Sequence, residues 1–361
     1  MGRLIKFGAI GVAGLTAALA LFLAVTAQST TPAIRGADGA ILKGAIAEER
    51  RINLGGVDQY LLIRGRDGNA PVMLFLHGGP GSSAMPFNRL HNAALEDDFV
   101  FVNWDQRGAG HSYSKDLDPA GITLDRITDD LDALVDMLCA EFNVGKILLV
   151  GHSWGSMLGL HYASLHPEKI AAFVGIGQMA DTAESERLNY LWALEQAQAR
   201  GDKKGLQSLK KVGAPPYADL AEMMTQRALI NKYGGAWMTP KSDIQYALEF
   251  LKAAEFACPH IPALANSGPF SGAILFDTFT ALNAPADYPE LDVPVTFMLG
   301  RFDKVVAPTP AAAYLETLEA PAKEVVWFEQ SAHSPQWEEP DRYHRELRRI
   351  ASAAGLLWSR L

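Results

Sequence analysis

Cysteine is almost missing from this chain: two residues in 361, Cys139 and Cys258. With no paired Cys/His spacing around them, a structural zinc or an iron–sulfur centre is excluded. No other motif calls for a metal or an organic cofactor. Cys139 falls on the apolar stripe of a helical pattern, where a free thiol packs as a small hydrophobe. Two buried thiols are therefore expected rather than a bridge. A surplus of positive charge is lacking too. Lys and Arg number 32 against 41 Asp and Glu, a formal net charge of −9. That balance gives no electrostatic footprint for nucleic acid and no general attraction to anionic membranes. Nothing repeats at a period of about 20–50 residues, which removes solenoids and propellers. Nothing in the sequence sets an oligomeric state.

Long apolar runs are also absent, with one exception. Phe7–Ala27 carries no charge and follows Arg3 and Lys6. A basic start ahead of an apolar run is the pattern of a secretory signal, and Val25-Thr26-Ala27 before Gln28 is a small-residue cleavage site. The run also has the roughly 20 residues that a bilayer-spanning helix needs. Residues 1–27 read as a signal peptide or an N-terminal membrane anchor, and the rest of the chain as exported, to the periplasm or the exterior. Residues 28–47, small, polar and Gly-containing, read as a linker.

From Glu48 the pattern turns to strands. Arg51–Leu54 and Gln59–Ile63 flank Gly55-Gly56, a hairpin signal. Val72–Leu76, Phe99–Val102, Ile147–Val150, Phe173–Ile176, Val295–Leu299 and Glu324–Phe328 are short apolar runs, mostly without alternation. Strands covered on both faces look like this. Between them lie helical periods such as Thr123–Phe142, with Thr123 placed to cap the first turn. The alternation implies an α/β fold with a mainly parallel sheet. Residues 181–285 break the rhythm: they are helix-rich, with patterns over Glu184–Arg200, Ala218–Lys232 and Asp243–Phe256, and no strand run. They read as a helical cap inserted into one core, whose two parts are 48–180 and 286–361.

The chemistry is concentrated at strand ends. Lys146–Val150 runs into Gly151-His152-Ser153-Trp154-Gly155 and then a helix-forming stretch. A strand–G-x-S-x-G–helix context is that of a nucleophile elbow. A serine hydroxyl needs a base, and the base an orienting acid. In chain order after Ser153 come Asp303, past the strand ending at Leu299, and His333, past the last strand. Asp287 and Asp292 precede that strand and so lie at its wrong end. His91, His166, His260 and His344 read as surface or packed residues, and His152 as packing that points away from the serine. An oxyanion needs two backbone donors. The amide of Trp154 is one; the turn His77-Gly78-Gly79-Pro80-Gly81 supplies the other, assigned to Gly79. Asp105 and Arg107, in the loop after the next strand, read as a structural ion pair or a loop brace at the floor of the site.

HGGPG (77–81), DQRGAGHS (105–112), GHSWGS (151–156), GRFD (300–303) and the loop of His333 resemble the proline iminopeptidase family of α/β-hydrolases. The match covers roughly residues 50–180 and 290–340. It implies an α/β-hydrolase fold, a mostly parallel sheet flanked by helices, with a helical cap over the site. It also implies release of an N-terminal proline from a peptide. Ser153, Asp303, His333, Gly79 and Trp154 take the same roles in that family as they take above. Aminopeptidases of this family hold the substrate ammonium with cap glutamates, for which Glu195, Glu249 and Glu255 are candidates here, each equally readable as a solvated helix face. The expected partner is a small-molecule or short-peptide substrate. A carboxylesterase or amidase for small apolar acyl compounds is the alternative, and a non-catalytic binder on the same fold a remote third.

Overall fold

The computed structural model describes residues 30–240, 242–256 and 260–357. The reading of residues 1–27 and that of Cys258 lie outside these residues. Cys139 is a free, half-buried thiol.

Eight strands form one sheet. β1 (Ile46–Leu54) and β2 (Val57–Gly65) make the hairpin signalled by Gly55-Gly56. β3 (Val72–Leu76), β4 (Val100–Asp105), β5 (Ile147–His152), β6 (Ile170–Ile176), β7 (Val295–Gly300) and β8 (Lys323–Phe328) follow. The spatial order is β1-β2-β4-β3-β5-β6-β7-β8. β1–β2 and β2–β4 are antiparallel, and every other pairing is parallel. Buried residues run unbroken along β3, β4, β5 and β7, because helices cover both faces. β1 lies at the edge, and its residues, Glu48, Glu49, Arg50 and Arg51 among them, are half-buried or exposed apart from the buried Leu54.

α1 (Met85–His91) follows β3, α2 (Leu124–Phe142) precedes β5, and α3 (Trp154–Leu165) joins β5 to β6. Thr123 caps α2 as its sequence implies, accepting from the Arg126 amide at 3.2 Å. Between β6 and β7 stand seven α-helices among the described residues: α4 (Thr182–Ala199), α5 (Lys203–Val212), α6 (Leu220–Tyr233), α7 (Asp243–Phe250), α8 (Ile261–Ile274), α9 (Phe276–Thr280) and α10 (Ala284–Asp287). The ends of this insertion meet where Asp181 bridges Asn283 and the Ala284 amide donates to the Ala180 carbonyl at 2.8 Å. α11 (Pro308–Thr317), α12 (Pro335–Glu338) and α13 (Pro340–Ala353) complete the core.

Two sequence readings differ from the structure. The helix expected to reach Phe256 stops at Phe250, and the chain beyond it turns inward, burying Ala253, Glu255 and Phe256. Residues 31–45 are not a loose linker. Ile34 is buried, the Leu42 amide donates to the Ile34 carbonyl at 2.9 Å, and Arg64 donates to the Pro32 carbonyl at 2.7 Å. Small polar composition marks irregular backbone, and it leaves open whether side chains of the core reach out to hold that backbone.

Candidate active site

Four loops at the C-terminal ends of parallel strands converge on one cavity of about 750 Å³ beneath the cap. The first is the turn between β5 and α3. Ser153 sits there with φ 55° and ψ −121°, a conformation that ordinary L-residues avoid. The turn is held from both sides: the Ser153 amide donates to the Ile176 carbonyl at 2.9 Å, and Ser156 Oγ donates to the Ser153 carbonyl at 2.6 Å. It is tight enough to require both flanking glycines. A Cβ on Gly151 would stand 2.1 Å from the Gly155 carbonyl oxygen, and one on Gly155 would stand 2.2 Å from that of Leu76.

The second and third loops follow β7 and β8. Asp303 is buried, and its Oδ1 accepts the amides of Val305 and Val306 at 2.8 and 2.9 Å. That arrangement aims Oδ2 at His333 Nδ1, 2.7 Å away. A carboxylate on Nδ1 fixes the tautomer that leaves Nε2 free to act as a base. His333 lines the cavity together with Ser153.

The fourth loop follows β3. A Cβ on Gly78 would stand 3.1 Å from Ser153 Cβ, so this loop lies directly against the serine. Gly78 and Gly79 line the cavity. Trp154 is the first residue of α3, so its amide is one of the unpaired donors at a helix start. Its indole donates to Gln106 Oε1 at 2.9 Å. Gln106 in turn donates its amide to His77 Nε2 at 3.1 Å and its side chain to the His77 carbonyl at 3.2 Å. It thereby ties the Gly79 loop to the elbow. Burial lowers the pKa of His77, in keeping with the acceptor role of Nε2.

Asp105 and Arg107 do not pair with each other. Asp105 Oδ2 accepts the His111 amide at 2.8 Å and faces His111 Nδ1 at 3.1 Å. Arg107 forms a two-pronged pair with Asp130 of α2, at 2.8 and 2.9 Å, and donates to the Leu54 and Gly55 carbonyls of the hairpin at 3.0 and 3.2 Å. Both brace loops, the second of the two readings, and the mutual ion pair is not formed. His152 does not simply point away: its Nε2 lies 3.0 Å from the His333 carbonyl oxygen and it lines the cavity. Burial holds its pKa well below the ordinary value, so it is neutral at neutral pH.

None of the three cap glutamates singled out from the sequence lines this cavity. Glu195 is exposed. Glu249 is half-buried and lies outside the cavity wall. Glu255 is fully buried on Arg89 at 2.8 Å. Among the described residues two cap carboxylates lie on the wall: Asp181, whose Oδ1 caps α4 by accepting the Glu184 amide at 2.9 Å, and Glu186 of α4, held by both terminal nitrogens of Arg227 from α6, one of them at 2.9 Å. Burial alone would lower the Arg227 pKa; the Glu186 charge outweighs it and raises it. Opposite lies an aromatic wall in which Phe87 stacks on Trp337 at 4.8 Å and meets Phe250 edge-on at 5.3 Å.

Glu338 is the other residue missed in the sequence. Its Oε1 accepts the Met238 amide at 2.7 Å and its Oε2 the Ala332 amide at 2.8 Å. One carboxylate thus joins the loop of His333 to the cap segment carrying Trp237, and the His333 amide itself donates to the Ala236 carbonyl at 3.2 Å. Burial pushes the Glu338 pKa up.

A serine on a strained elbow under a helix start, with an imidazole–carboxylate pair beside it on a mostly parallel sheet, defines the α/β-hydrolase class of enzyme. Comparison with known proteins places the chain in that family, and it belongs to the α/β-hydrolase fold family, of which residues 71–211 are the matching part. Over 312 residues it is 32% identical to the probable aminopeptidase YbaC of Bacillus subtilis, covering 86% of this chain and 98% of that protein. It is 40% identical to the proline iminopeptidase of Neisseria gonorrhoeae over 110 residues, 30% of this chain and 33% of that one. Its fold is shared with the crystal structure of a proline iminopeptidase from Mycobacterium smegmatis, with TM-score 0.61 at 17% identity over 86% of this chain and 99% of that one. The resemblance carried by the sequence motifs is thus borne out, and the chain is a hydrolase.

Proposed function

We propose that this protein is an exported serine aminopeptidase that releases N-terminal residues, proline foremost, by acyl transfer. The observation that carries the reading is the 2.7 Å contact between His333 Nδ1 and Asp303 Oδ2 beside the elbow serine. Ser153 Oγ attacks the scissile carbonyl while His333 takes its proton, and the Gly79 and Trp154 amides receive the oxyanion. The imidazolium gives its proton to the leaving amine, and water then releases the acyl group by the same steps. Asp303 stabilises the imidazolium. Of the two cap carboxylates on the cavity wall, Asp181 caps α4 and Glu186 is the one we assign to a substrate ammonium; the aromatic wall offers an apolar face to a proline ring. Export rests on the basic start and the uncharged run Phe7–Ala27.

One observation favours a second reading, an esterase or amidase for apolar acyl compounds. Arg227 already neutralises Glu186, and a charge pair that is complete leaves less for an incoming ammonium. Turnover of prolyl anilide, its N-acetylated form and a short acyl ester separates the two. An aminopeptidase cleaves the free anilide at least about a hundredfold faster than the blocked one, the ratio expected when a buried carboxylate loses its cation. Equal rates on both anilides, with the ester faster, establish the esterase.

A further inference from the structure

The chain enters the described structure tied to the cap. Thr31 Oγ1 donates to Glu255 Oε1 at 2.8 Å, and Arg64 reaches both Thr31 and the Pro32 carbonyl. Glu255 lies between α7 and α8 and is anchored on Arg89 of α1. Thr31 is therefore fastened to the cap close to those two helices. In the sequence, the apolar run Phe7–Ala27 ends only four residues before Thr31. Fully extended, the chain from Ala27 to Thr31 covers at most about 14 Å. If that run spans a bilayer, the hydrocarbon boundary lies within this distance of Thr31.

The elements on either side of Glu255 expose large aliphatic side chains. Ile244 and Leu248 of α7 are 73% and 57% exposed, and Ile261 at the start of α8 is 38% exposed. Ile244 and Leu248 are four residues apart and so share one side of their helix. Scattered exposed hydrophobes need no explanation; three within one short stretch, beside the point where an apolar run ends, do. Lys252, exposed between them, has a stem that can lie along an apolar boundary while its charge stays in water.

We propose that residues 7–27 are retained as a membrane anchor and that the cap rests on the bilayer through Ile244, Leu248 and Ile261. The partner is the lipid surface itself, met through apolar burial rather than charge, as the acidic balance of the chain requires. Phe250, the last residue of α7, lines the cavity with Ser153. One helix then carries both the membrane contact and part of the substrate wall. The inference rests on the anchor reading of the N-terminus, and the test separates the two.

The full chain is reconstituted into phosphatidylcholine vesicles containing a photoactivatable phospholipid, irradiated and mapped by peptide mass. An intact mass that includes residues 1–27 and retention after an alkaline carbonate wash report the anchor. Labelling of the peptides holding Ile244, Leu248 and Ile261 reports the docking, with the peptide of exposed Leu165 on α3 as the water-facing control. The expected result is labelling at residues 244–261 at least fivefold above the control, reduced to the control level in the I244D/L248D variant. Label confined to the first 29 residues of a membrane-integral chain overturns the docking. A chain recovered without residues 1–27, or washed off by carbonate, overturns the anchor and the docking with it.

Discussion

Ser153 keeps a backbone conformation that costs on the order of 1–3 kcal/mol, and the hydrogen bonds to Ile176 and from Ser156 hold it there. Alanine at 153 leaves those backbone contacts in place. Ser153→Ala should therefore melt at the wild-type temperature while turnover falls by roughly a millionfold, the scale seen when a triad serine is removed. Glu338→Gln tests the link between the cap and the His333 loop. Glutamine supplies one acceptor and turns an NH₂ towards a backbone N–H, leaving a buried donor unpaired at about 1–3 kcal/mol. The expected outcome is a lower denaturation midpoint and roughly a tenfold loss in kcat, the equivalent of about 1.4 kcal/mol at the transition state. Glu186→Gln removes one of the cavity's two cap carboxylates and leaves Asp181. In an aminopeptidase it should raise KM for prolyl anilide by about tenfold or more, while a short ester keeps its KM. Equal effects on both substrates would count against an ammonium site there.

At the scale of elements, the elbow is a three-layer contact in which α3 presses on β3 and β5 through glycine. Gly155→Ala places a methyl 2.2 Å from the Leu76 carbonyl, where backbone on both sides cannot yield. The expected cost exceeds the roughly 1–3 kcal/mol of ordinary overpacking and should appear as loss of soluble protein or of a cooperative urea transition. This part of the fold was legible in the sequence because it is local. Apolar runs without alternation, a Gly-x-Ser-x-Gly at a strand end and a threonine before a helical period each carry their cause within a few residues. The cap was less legible. A glutamate on a helix reads the same whether it faces water, like Glu195, an arginine of the core, like Glu255, or the cavity, like Glu186. Only the packing of α4 on α6 decides which. Glu338 was missed for the same reason, since its two partners lie six and one hundred residues away. The docking of residues 31–45 likewise depends on Arg64 reaching out from β2, which no property of the segment itself announces.

For the whole molecule, pH acts through histidines that the fold keeps neutral. Burial lowers the pKa of His77 and His152, and burial with the nearby His111 takes His260 down to about 4. Below the ordinary value of 6.5 the unfolded chain takes up protons that the folded chain refuses. The stability these groups leave intact is present above about pH 6.5 and drains as pH falls towards their folded values. Each fully buried histidine costs up to about 1.4 kcal/mol by pH 5.5. The thermal midpoint should therefore drop by several degrees between pH 7.5 and 5.5, and a flat profile across that range would refute the assignment. The β1 strand bears on a different property, the behaviour of many copies together. Its outer edge has no neighbour among the described residues, and unpaired edges are templates on which other chains add strands. Glu48, Glu49, Arg50 and Arg51 fill the middle of that edge, with Arg50 held by Glu48 and by Glu141 of α2 at 2.6 Å. A second chain pairing there would have to strip water from four charges in succession, so this edge of the sheet is guarded against open-ended aggregation.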